Sequence, residues 1–598
     1  MTIQANFPAI KPSLMLDFAN TKQLDSRITY TRASTASYYD GVTTSKAEEN
    51  LVTYSEQLDN AAWAKSASTI TANSTTAPDG TSTADSFVEN VDTNQYHQVS
   101  QQFSAVSGTT YTFSSYLKQN SRTKAGLLLG SGTADVHFIF DLSAGTVGSA
   151  VYGAGGGWSS ATATITSVGS SWYRCVITAT ATATITRTAL IELNNGTSRQ
   201  YNGDGSSIFV WGAQLEIRSS ATAYTATTTQ AITNYIPKLQ TAASGVARFD
   251  NNPTTGESLG LLIEESRTNL LTYSSQFDDA SWTKSATTIT PNIVVAPDGT
   301  LTGDLLLETA TTAGHYIQQT VNVTNGTVYT ASCYIKPNGR TTIEFYMGFV
   351  FNIKFDLTGN GSVTAVTGGT GGTITSVGNG WFRITATGTA SSTSATIFAL
   401  YGIPDSGYAG DSFKGWFIWG AQFEAGSFAT SYIPTVASQV TRAADAASMT
   451  GTNFSTWFNQ AEGTIYSEAA AYAIGSRGIF DFTDGTNNNQ MAAFAGSGSS
   501  GQRHLNVRVS GSTVATLDGG SYADGAYSKQ ATVLKANDFA LSLAGATAVT
   551  TSSGSVPIVN QMLIGNSTTS ASVLNGTIKK IAFYPLRVTN AQLQALTS

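Results

Sequence analysis

One segment of this chain occurs twice. Residues 50–89 read NLVTYSEQLDNAAWAKSASTITANSTTAPDGTSTADSFVE, and residues 269–308 read NLLTYSSQFDDASWTKSATTITPNIVVAPDGTLTGDLLLE. Self-similarity of this length indicates a duplicated module, and both copies are expected to share one fold. The repeat therefore decides the architecture before any single residue is considered.

The repeat extends well beyond those two segments. Matched blocks continue as YTFSSYLK and YTASCYIK, then as ITSVGSSWYR and ITSVGNGWFR, and finally as WGAQLE and WGAQFE. The second copy is shorter, and its deletions fall between the matched blocks. Because loops tolerate changes of length far better than strands do, we expect the matched blocks to be strands of a common scaffold.

Inside each copy, apolar residues recur at every second position. In YTFSSYLK, for example, Tyr111, Phe113 and Leu117 alternate with polar side chains. Many short strands of this kind, separated by glycine-rich turns and without a helical period, are typical of antiparallel sandwiches. The predicted fold class is all-β: multi-domain antiparallel β-sandwiches, with two repeated jelly rolls and a further sandwich at the end of the chain.

The length of 598 residues suggests roughly four units at about 150 residues each. We predict that residues 1–46 form an N-terminal anchor or small β unit that residues 236–268 complete. The first jelly roll, 47–235, would be inserted in a loop of that unit, since the ends of a module lie close together. The second jelly roll is predicted at 269–440, and a C-terminal domain of different strand pattern at 441–598.

Composition excludes several classes of function. Charged residues make up 12% of the chain, and the net charge is −7 without any lysine or arginine run. A nucleic-acid groove needs a clustered basic surface, so no nucleic-acid partner is expected. No apolar run is long enough to span a membrane, and no secretory signal is recognisable. The two cysteines, Cys175 and Cys333, are expected to be small buried side chains.

Several motifs resemble those of known proteins. NLLTYSSQFDDASWTK, APDGT, WGAQFE, SYIPT and VTRAAD resemble the carbohydrate-binding-module-like jelly rolls of tailed-bacteriophage head-fibre and tail-fibre proteins. RITYTRAST and ARFDNNPTTGESLGLLIEESRTNLL resemble the segment that precedes such a module. The last residues, NGTIKKIAFYPLRVTNAQLQALTS, are similar to laminin-G or concanavalin-type sandwiches.

This resemblance implies a virion protein that is assembled in the host cytoplasm and exposed on the particle surface. Its expected partners are other capsid or tail proteins, contacted through the N-terminal region, and host cell-surface polysaccharide. By analogy with fibres the protein is expected to be a trimer. Jelly rolls of this sort serve as glycan binders, as spacers and as decorations, so the fold alone does not choose among these roles.

Aromatic residues that differ between the two copies are the candidates for glycan binding. Tryptophans kept in both copies, such as Trp63 and Trp282, are better explained as core. Aromatics that differ and are predicted in loops could carry specificity. The candidates are Tyr152, Trp158 and Tyr201 in the first copy and Tyr346, Tyr401, Tyr408 and Trp416 in the second.

Carboxylates that recur in both copies suggest two alternatives. Glu89 and Glu216 in the first copy correspond to Glu308 and Glu424 in the second. One interpretation is a structural calcium ion in each sandwich, because hard cations need several oxygen ligands. The other is hydrogen bonding at strand ends, which we favour because no Asp-rich loop of metal-binding spacing is present. No other cofactor is expected.

The sequence contains no recognisable catalytic arrangement. Glu264 and Glu265 are adjacent in a predicted strand, so their side chains point to opposite faces and cannot act as a glycosidase pair across one cleft. Motifs of metalloproteases and serine hydrolases are absent. The leading hypothesis is therefore a non-enzymatic phage fibre or spike that binds host glycans. The alternatives are a purely structural decoration or connector protein and, third, a polysaccharide depolymerase.

Overall fold

The structure is a computed structural model of the chain, and it describes residues 8–222, 224–403, 407–472, 476–496, 502–568 and 572–598. Strands account for 55% of it and helices for 3%. Every strand pairing recorded between named strands is antiparallel, and the strands form stacked sheets. The predicted fold class, an all-β assembly of several antiparallel sandwiches, is confirmed. Among the described residues, no helix is long and apolar enough to cross a membrane.

The chain divides into two compact units. One is continuous and contains residues 46–235, and the other combines residues 1–45 with residues 236–598. Both chain crossings fall within a pair of strands, β3 and β19, that form a two-stranded sheet. The elements before the first crossing are β1 (Leu14–Asp17), α1 (Phe18–Thr21), β2 (Thr29–Thr31) and β3 (Ala36–Asn50).

The continuous unit contains module 1, which we define as β4 to β18. Its strands are β4 (Ala64–Ser66), β5 (Ser68–Thr75), β6 (Ala84–Glu89), β7 (Gln95–Tyr96), β8 (Gln98–Ala105), β9 (Thr110–Gln119), β10 (Lys124–Ser131), β11 (Ala134–Asp141), β12 (Thr146–Val147), β13 (Val151–Tyr152), β14 (Trp158–Gly169), β15 (Trp172–Ala181), β16 (Ile185–Asn194), β17 (Gln200–Tyr201) and β18 (Ser207–Glu216).

Module 1 is a sandwich of two sheets. The sheet that we call its front sheet has the order β12-β11-β10-β16-β8-β4, with β13 also beside β11. The back sheet has the order β14-β15-β9-β18-β6-β5, and β7 pairs separately with β17. Inward-facing side chains from both sheets, such as Phe113, Leu127 and Ile191, form one buried cluster. The alternation seen in the sequence therefore corresponds to one face of each strand turned to the core.

The chain then returns to the discontinuous unit. Its next strands are β19 (Ile232–Ala242), β20 (Arg248–Asn251) and β21 (Ser258–Ile263). Module 2 follows and is defined as β22 to β37. Its strands are β22 (Arg267–Asn269), β23 (Thr283–Ser285), β24 (Thr287–Val294), β25 (Gly303–Glu308), β26 (Thr312–Ala313), β27 (Tyr316–Val323), β28 (Val328–Asn338), β29 (Thr342–Met347), β30 (Phe351–Asp356), β31 (Ser362–Thr367), β32 (Gly371–Gly378), β33 (Trp381–Thr389), β34 (Ser394–Tyr401), β35 (Tyr408–Ala409), β36 (Gly415–Ala425) and β37 (Val440–Arg442).

Module 2 repeats the two-sheet arrangement of module 1. Its front sheet has the order β23-β27-β34-β29-β30-β31, and its back sheet has the order β24-β25-β36-β28-β33-β32. The short pair β26-β35 corresponds to β7-β17 of module 1, and β22 pairs with β37 where the module begins and ends. The core again lies between the sheets, around Phe345, Ile384 and Phe423.

The C-terminal sandwich completes the chain. Its own elements are β38 (Ala446–Thr450), α2 (Thr452–Ser455), β39 (Glu462–Ala471), β40 (Arg477–Thr483), β41 (Gln490–Ala495), β42 (Gln502–Val509), β43 (Ser512–Ser521), β44 (Ser528–Lys535), β45 (Phe539–Leu543), β46 (Val549–Thr551), β47 (Gln561–Ile564), β48 (Gly576–Tyr584) and α3 (Asn590–Thr597). Helix α3 begins at a capping box in which Thr589 and Gln592 bond each other's backbone N–H. The laminin-G likeness of this sandwich stays a prediction.

The small N-terminal unit expected from residues 1–46 and 236–268 does not have a core of its own within the described residues. Strands β1 and β21 pair with β48, and β2 pairs with β38, so all three extend the sheets of the C-terminal sandwich. Leu14, Leu16 and Ile263 belong to the same buried cluster as Phe583. These strands are too short to bury their apolar faces against each other, and the larger sandwich provides that burial.

A buried ionic cluster joins module 2 to the C-terminal sandwich. Arg248 donates from Nη1 to Glu264 at 2.7 Å and from Nη2 to Asp445 at 2.5 Å. Arg442 lies 3.6 Å from Glu264, and Arg32 donates to Asp445 at 3.1 Å. Glu264 also accepts from the backbone N–H and hydroxyl of Ser431, in the chain that leaves module 2. The sequence motifs RITYTRAST, ARFD, IEES, SYIPT and VTRAAD meet in this cluster.

Candidate functional site

The outward side of the module 1 front sheet carries a continuous row of side chains across four strands. Ser100 of β8 pairs with Leu190 of β16, which pairs with Leu128 of β10, which in turn pairs with His137 of β11. Their sequence neighbours point into the core because successive side chains in a strand alternate between faces. The register therefore places one set of residues on the outside of the sandwich.

A groove of about 430 Å³ lies on this outer face. Such a volume is within the range of small-ligand sites. Tyr96 of β7 stands at its edge and is 41% exposed, so its ring is accessible to solvent. The lining residues are Tyr96, Gln98, Ser100, Leu128, Gly130, Gly132, Thr133, Asp135, Thr188, Leu190 and Arg199.

Arg199 organises the charged part of the groove. Its Nε donates to both carboxylate oxygens of Glu192, at 2.8 and 2.9 Å, and its Nη1 donates to Asp135 at 2.9 Å. Its guanidinium also lies 5.5 Å from the centre of the Tyr96 ring, a cation–π contact that helps to hold the ring at the edge of the groove. One arginine thus connects two strands of the front sheet, β16 and β11, with the aromatic side chain on β7.

The two carboxylates bonded to Arg199 differ in their electrostatics. Burial raises the pKa of Glu192, and the positive charge of Arg199 opposes this only in part. Burial would also raise the pKa of Asp135, but hydrogen bonds from His137 and Arg199 reverse the effect and lower it. With Arg199 engaged by two carboxylates, the groove offers hydrogen-bonding groups without an excess of positive charge.

Module 2 presents tyrosines on the corresponding face. Tyr316 of β27 pairs with Tyr401 of β34, and their rings stack with centroids 4.3 Å apart. Tyr346 of β29 approaches the Tyr401 ring edge-on at 5.5 Å. Beside them, the buried carboxylate of Glu344 lies 3.2 Å from Lys354 of β30. The structure therefore brings the predicted residues Tyr346 and Tyr401 together and adds Tyr316, which the sequence analysis missed.

The prediction that Trp158 and Trp416 bind a ligand is wrong, because both side chains lie in the core. Trp158 is 5% exposed and packs against Phe103 and Tyr111 between the sheets of module 1. Trp416 is 1% exposed on strand β36, where its Nε1 donates to the backbone oxygen of Thr342 at 3.1 Å. Each copy fills its interior with different aromatic residues, so a difference between the copies did not indicate recognition at these positions.

The predicted pair Tyr201 and Tyr408 is also corrected. They are equivalent in the two modules rather than specific to one, and both are bound to a buried carboxylate. The Tyr201 hydroxyl donates to Glu89 at 2.5 Å, and the Tyr408 hydroxyl donates to Glu308. Burial and the neighbouring carboxylate raise the pKa of both tyrosines. Loops of unequal length hid this equivalence in the sequence.

The four calcium candidates accept hydrogen bonds from protein donors. Glu89 pairs with Arg122, and Glu308 accepts from Nε and Nη2 of Arg340 at 2.8 Å each. In the same way, Glu216 accepts from Thr222, and Glu424 accepts from Thr430 and Gln422. The described residues contain no group of three or more His, Cys, Asp or Glu side chains that could hold a metal ion.

Tyr152 differs from the other candidates of the first copy. It lies on β13 beside β11 and is 47% exposed, and its hydroxyl accepts from the backbone N–H of Ala161 at 2.9 Å. Its neighbour Gly153 packs so closely on Asp135 that a Cβ there would lie 2.1 Å from the carboxylate. Tyr152 therefore belongs to the segment that supports one wall of the groove.

The sequence analysis does not identify the groove residues Tyr96, Asp135 and Arg199, or Glu192, which bonds Arg199. Arg199 and Glu192 lie seven residues apart, but Asp135 lies on another strand, and only the register of β16, β10 and β11 brings it within reach. An alignment of the two copies does distinguish these residues. The WGAQLE and WGAQFE blocks match, whereas the charged residues Asp135, Glu192 and Arg199 have no charged counterparts in the second copy.

A second groove, of about 370 Å³, lies in module 2 near the repeated motif NLLTYSSQFDDASWTK. Asp304 holds its wall by accepting the backbone N–H groups of Phe277 and Asn292, both at 2.9 Å. Asp85 makes the corresponding bonds in module 1. Burial raises the pKa of each carboxyl from 3.8 to about 6. Since both modules build this wall in the same way, it is part of the shared scaffold.

Comparisons with known proteins identify solved structures of low similarity. They include the CBM40 of the Ruminococcus gnavus IT-sialidase bound to α2,3-sialyllactose, at 15% identity and TM-score 0.22 over 24% of this chain and 88% of that one. The CBM22-1–CBM22-2 tandem of Paenibacillus barcinonensis Xyn10C, at 10% identity and TM-score 0.20, covers 64% and 99%. A heptameric SAP-like pentraxin of Limulus polyphemus, at 14% identity and TM-score 0.19, covers 23% and 70%.

No protein-family model matches the chain, and no curated protein matches it. The TM-scores of the solved structures are too low for a ligand or an activity to be transferred from them.

Proposed function

We propose that this chain is a non-enzymatic, glycan-binding virion protein, a bacteriophage fibre or spike whose front sheets bind host-surface polysaccharide. The observation that carries the proposal is the groove on the module 1 front sheet. Its half-exposed tyrosine can lie against the apolar face of a sugar ring, and its side-chain amide, hydroxyl and charged groups can bond ring hydroxyls.

The charge balance of the groove favours a sugar without a carboxylate. The guanidinium of Arg199 is bonded to both Glu192 and Asp135. An acidic sugar would have to approach these two carboxylates, and like charges at short range are unfavourable. The expected ligand of module 1 is a neutral or amine-bearing saccharide.

The front sheets of modules 1 and 2 would act together on a host polysaccharide, because its sugar units occur many times on the cell surface. Binding of one module raises the effective concentration of the second, so weak individual contacts can give strong attachment. Three subunits, as expected for a fibre, would extend this effect. The virion location and the trimer rest on the sequence motifs that resemble phage fibre proteins.

A glycan array followed by calorimetry tests the proposal. The full chain is compared with Tyr96→Ala, which removes the exposed ring of the groove. The matched control is Phe413→Ala, because Phe413 is 86% exposed in the loop before β36, outside both front sheets. Tyr96→Ala should weaken binding of the best saccharide about tenfold, equivalent to about 1.4 kcal/mol, and Phe413→Ala should not change it.

Two outcomes would contradict glycan binding. One is the absence of any saccharide ligand among neutral, amine-bearing and acidic sugars at millimolar concentration. The other is equal weakening by both substitutions. In either case a structural decoration or connector role becomes the better account, and immunolabelling of intact particles would then locate the protein at head or tail.

A further inference from the structure

Arg503 is buried in the C-terminal sandwich. It lies on β42 in the same alternating set as Leu505 and Val507, which face the core between the two sheets. Its exposed fraction is 2%, and its Nη2 reaches the backbone oxygen of Ala469 at 3.3 Å. An arginine at this depth normally has a carboxylate partner.

No carboxylate of the described residues forms a hydrogen bond with the guanidinium of Arg503. Its Nε and Nη1 have no hydrogen-bond partner among the described residues. The Tyr522 ring lies 5.7 Å away, and Asp524 acts on Arg503 only through its charge. The described part of the chain thus leaves two nitrogens of a buried cation without an acceptor.

A small pocket opens beside this guanidinium. Its lining includes Ala471, Gly496 and Tyr522 together with Arg503, and the exposed residue Asp524 lies at its mouth. The inner volume is about 10 Å³, which is enough for one oxygen-sized atom. Burial lowers the pKa of Arg503 to about 10, so the side chain stays charged at neutral pH.

We propose that this pocket is an anion site that receives a carboxylate group. A carboxylate can place one oxygen in the pocket, where it accepts from Nη1 or from Nε of Arg503, and can keep the rest of the ligand outside. The ligand is either a free small carboxylate or the carboxylate of an acidic sugar. The site is independent of the front sheets and of the function proposed for them.

Thermal unfolding of the full chain at constant ionic strength tests the site. Sodium chloride is replaced by sodium acetate or sodium glucuronate, and the variants are Arg503→Met and Arg508→Met. Arg508 is the control on the same strand, because it is only partly buried, does not line the pocket, and donates from Nη2 to the backbone oxygen of Gly511 at 2.8 Å. Saturation-transfer NMR on acetate and glucuronate with the unmodified protein gives a readout that needs no variant.

If the site exists, carboxylate raises the unfolding temperature of the C-terminal sandwich by at least about 2 °C in the unmodified protein and in Arg508→Met. Arg503→Met should not respond, and without carboxylate it should unfold no earlier than the unmodified protein. An effect of acetate and glucuronate alike indicates a free-carboxylate site, and an effect of glucuronate alone indicates a sugar site. An equal response of Arg503→Met, or the absence of saturation transfer, would overturn the proposal.

Discussion

Module 1 and module 2 share a scaffold and differ on the surface that their front sheets present. In both, a buried tryptophan donates from Nε1 to a backbone oxygen at 3.0 Å, Trp63 to Tyr54 and Trp282 to Tyr273. On the front sheet, the position of Glu192 in module 1 is occupied by Tyr401 in module 2, and that of Leu128 by Tyr346. Duplication has kept the interior bonds and changed the outward chemistry from a charged groove to a tyrosine surface.

The two modules also differ in their connection to the rest of the chain. Module 2 continues into the buried cluster of Arg248, Glu264 and Asp445 that joins it to the C-terminal sandwich. The corresponding segment after module 1, ATAYTATTTQ, has no equivalent of the VTRAAD motif. The motifs that resemble phage fibre proteins therefore build a joint as well as a domain.

The largest expected effect tests the shared scaffold. Trp63→Ala and Trp282→Ala should each lower the free energy of unfolding of their own module by about 3–5 kcal/mol, because each removes a fully buried ring and leaves a cavity. Calorimetry that resolves the separate unfolding transitions measures the loss. Costs that differ by more than about 2 kcal/mol would show that the two scaffolds are not energetically equivalent.

Breaking the joint should affect module 2 and spare module 1. Glu264→Gln removes the carboxylate that Arg248 and Arg442 share and leaves both guanidinium groups with Asp445 alone. This should cost about 3 kcal/mol in the transition of module 2 and the C-terminal sandwich. Denaturant titration checks this. The control, Glu257→Gln, breaks an exposed pair with Lys579 and should cost less than about 1 kcal/mol. A shift of the module 1 unfolding transition in Glu264→Gln would contradict the division of the chain into two separately folded units.

The two front sheets should bind independently. Tyr346→Ala should weaken the ligand of module 2 about tenfold and leave the ligand of module 1 unchanged, whereas Tyr96→Ala should do the reverse. Titration of each saccharide against each variant distinguishes the faces. If both substitutions weaken binding of the same saccharide, the two front sheets recognise one ligand rather than two different ones.

The smallest effect is a pH dependence common to both modules. The pKa of Asp85 and that of Asp304 rise on folding from 3.8 to about 6 because of burial. The folded state therefore binds these protons more tightly than the unfolded state does. The contribution of the two carboxyl groups to the free energy of unfolding is greatest below pH 3.8 and is lost as the pH rises through 6. Asp85→Asn and Asp304→Asn should flatten this slope equally in their modules, as measured by denaturant titration between pH 4 and 7.

Glu264 should give the opposite dependence at the joint. Although burial alone would raise its pKa, the charges of Arg442 and Arg248 and the bonds from Ser431 lower it from 4.5 to about 2. Its contribution is present above pH 4.5 and is lost as the pH falls towards 2. Acid titration of the unmodified protein and Glu264→Gln should therefore diverge above pH 4.5 and converge near pH 2.

The sequence predicted the sandwiches because their signals are local. Alternation in YTFSSYLK and the matched WGAQLE and WGAQFE blocks depend only on residues within one strand. The burial of Trp158 and Trp416 could not be predicted in this way, because it depends on which partner strand faces each ring. The groove posed the same problem, since Arg199 meets Asp135 only through the pairing of separate strands.

Module 1 lies at a point of the sequence where a whole domain can be inserted or removed during evolution. Residues 46–235 occupy the space between two strands, β3 and β19, that already pair with each other. An entire domain thus stands where a short turn would suffice. The remainder of the chain would need only a few residues to bridge that gap. This point of the sequence can therefore gain, lose or exchange a domain while the joint and the C-terminal sandwich are inherited intact.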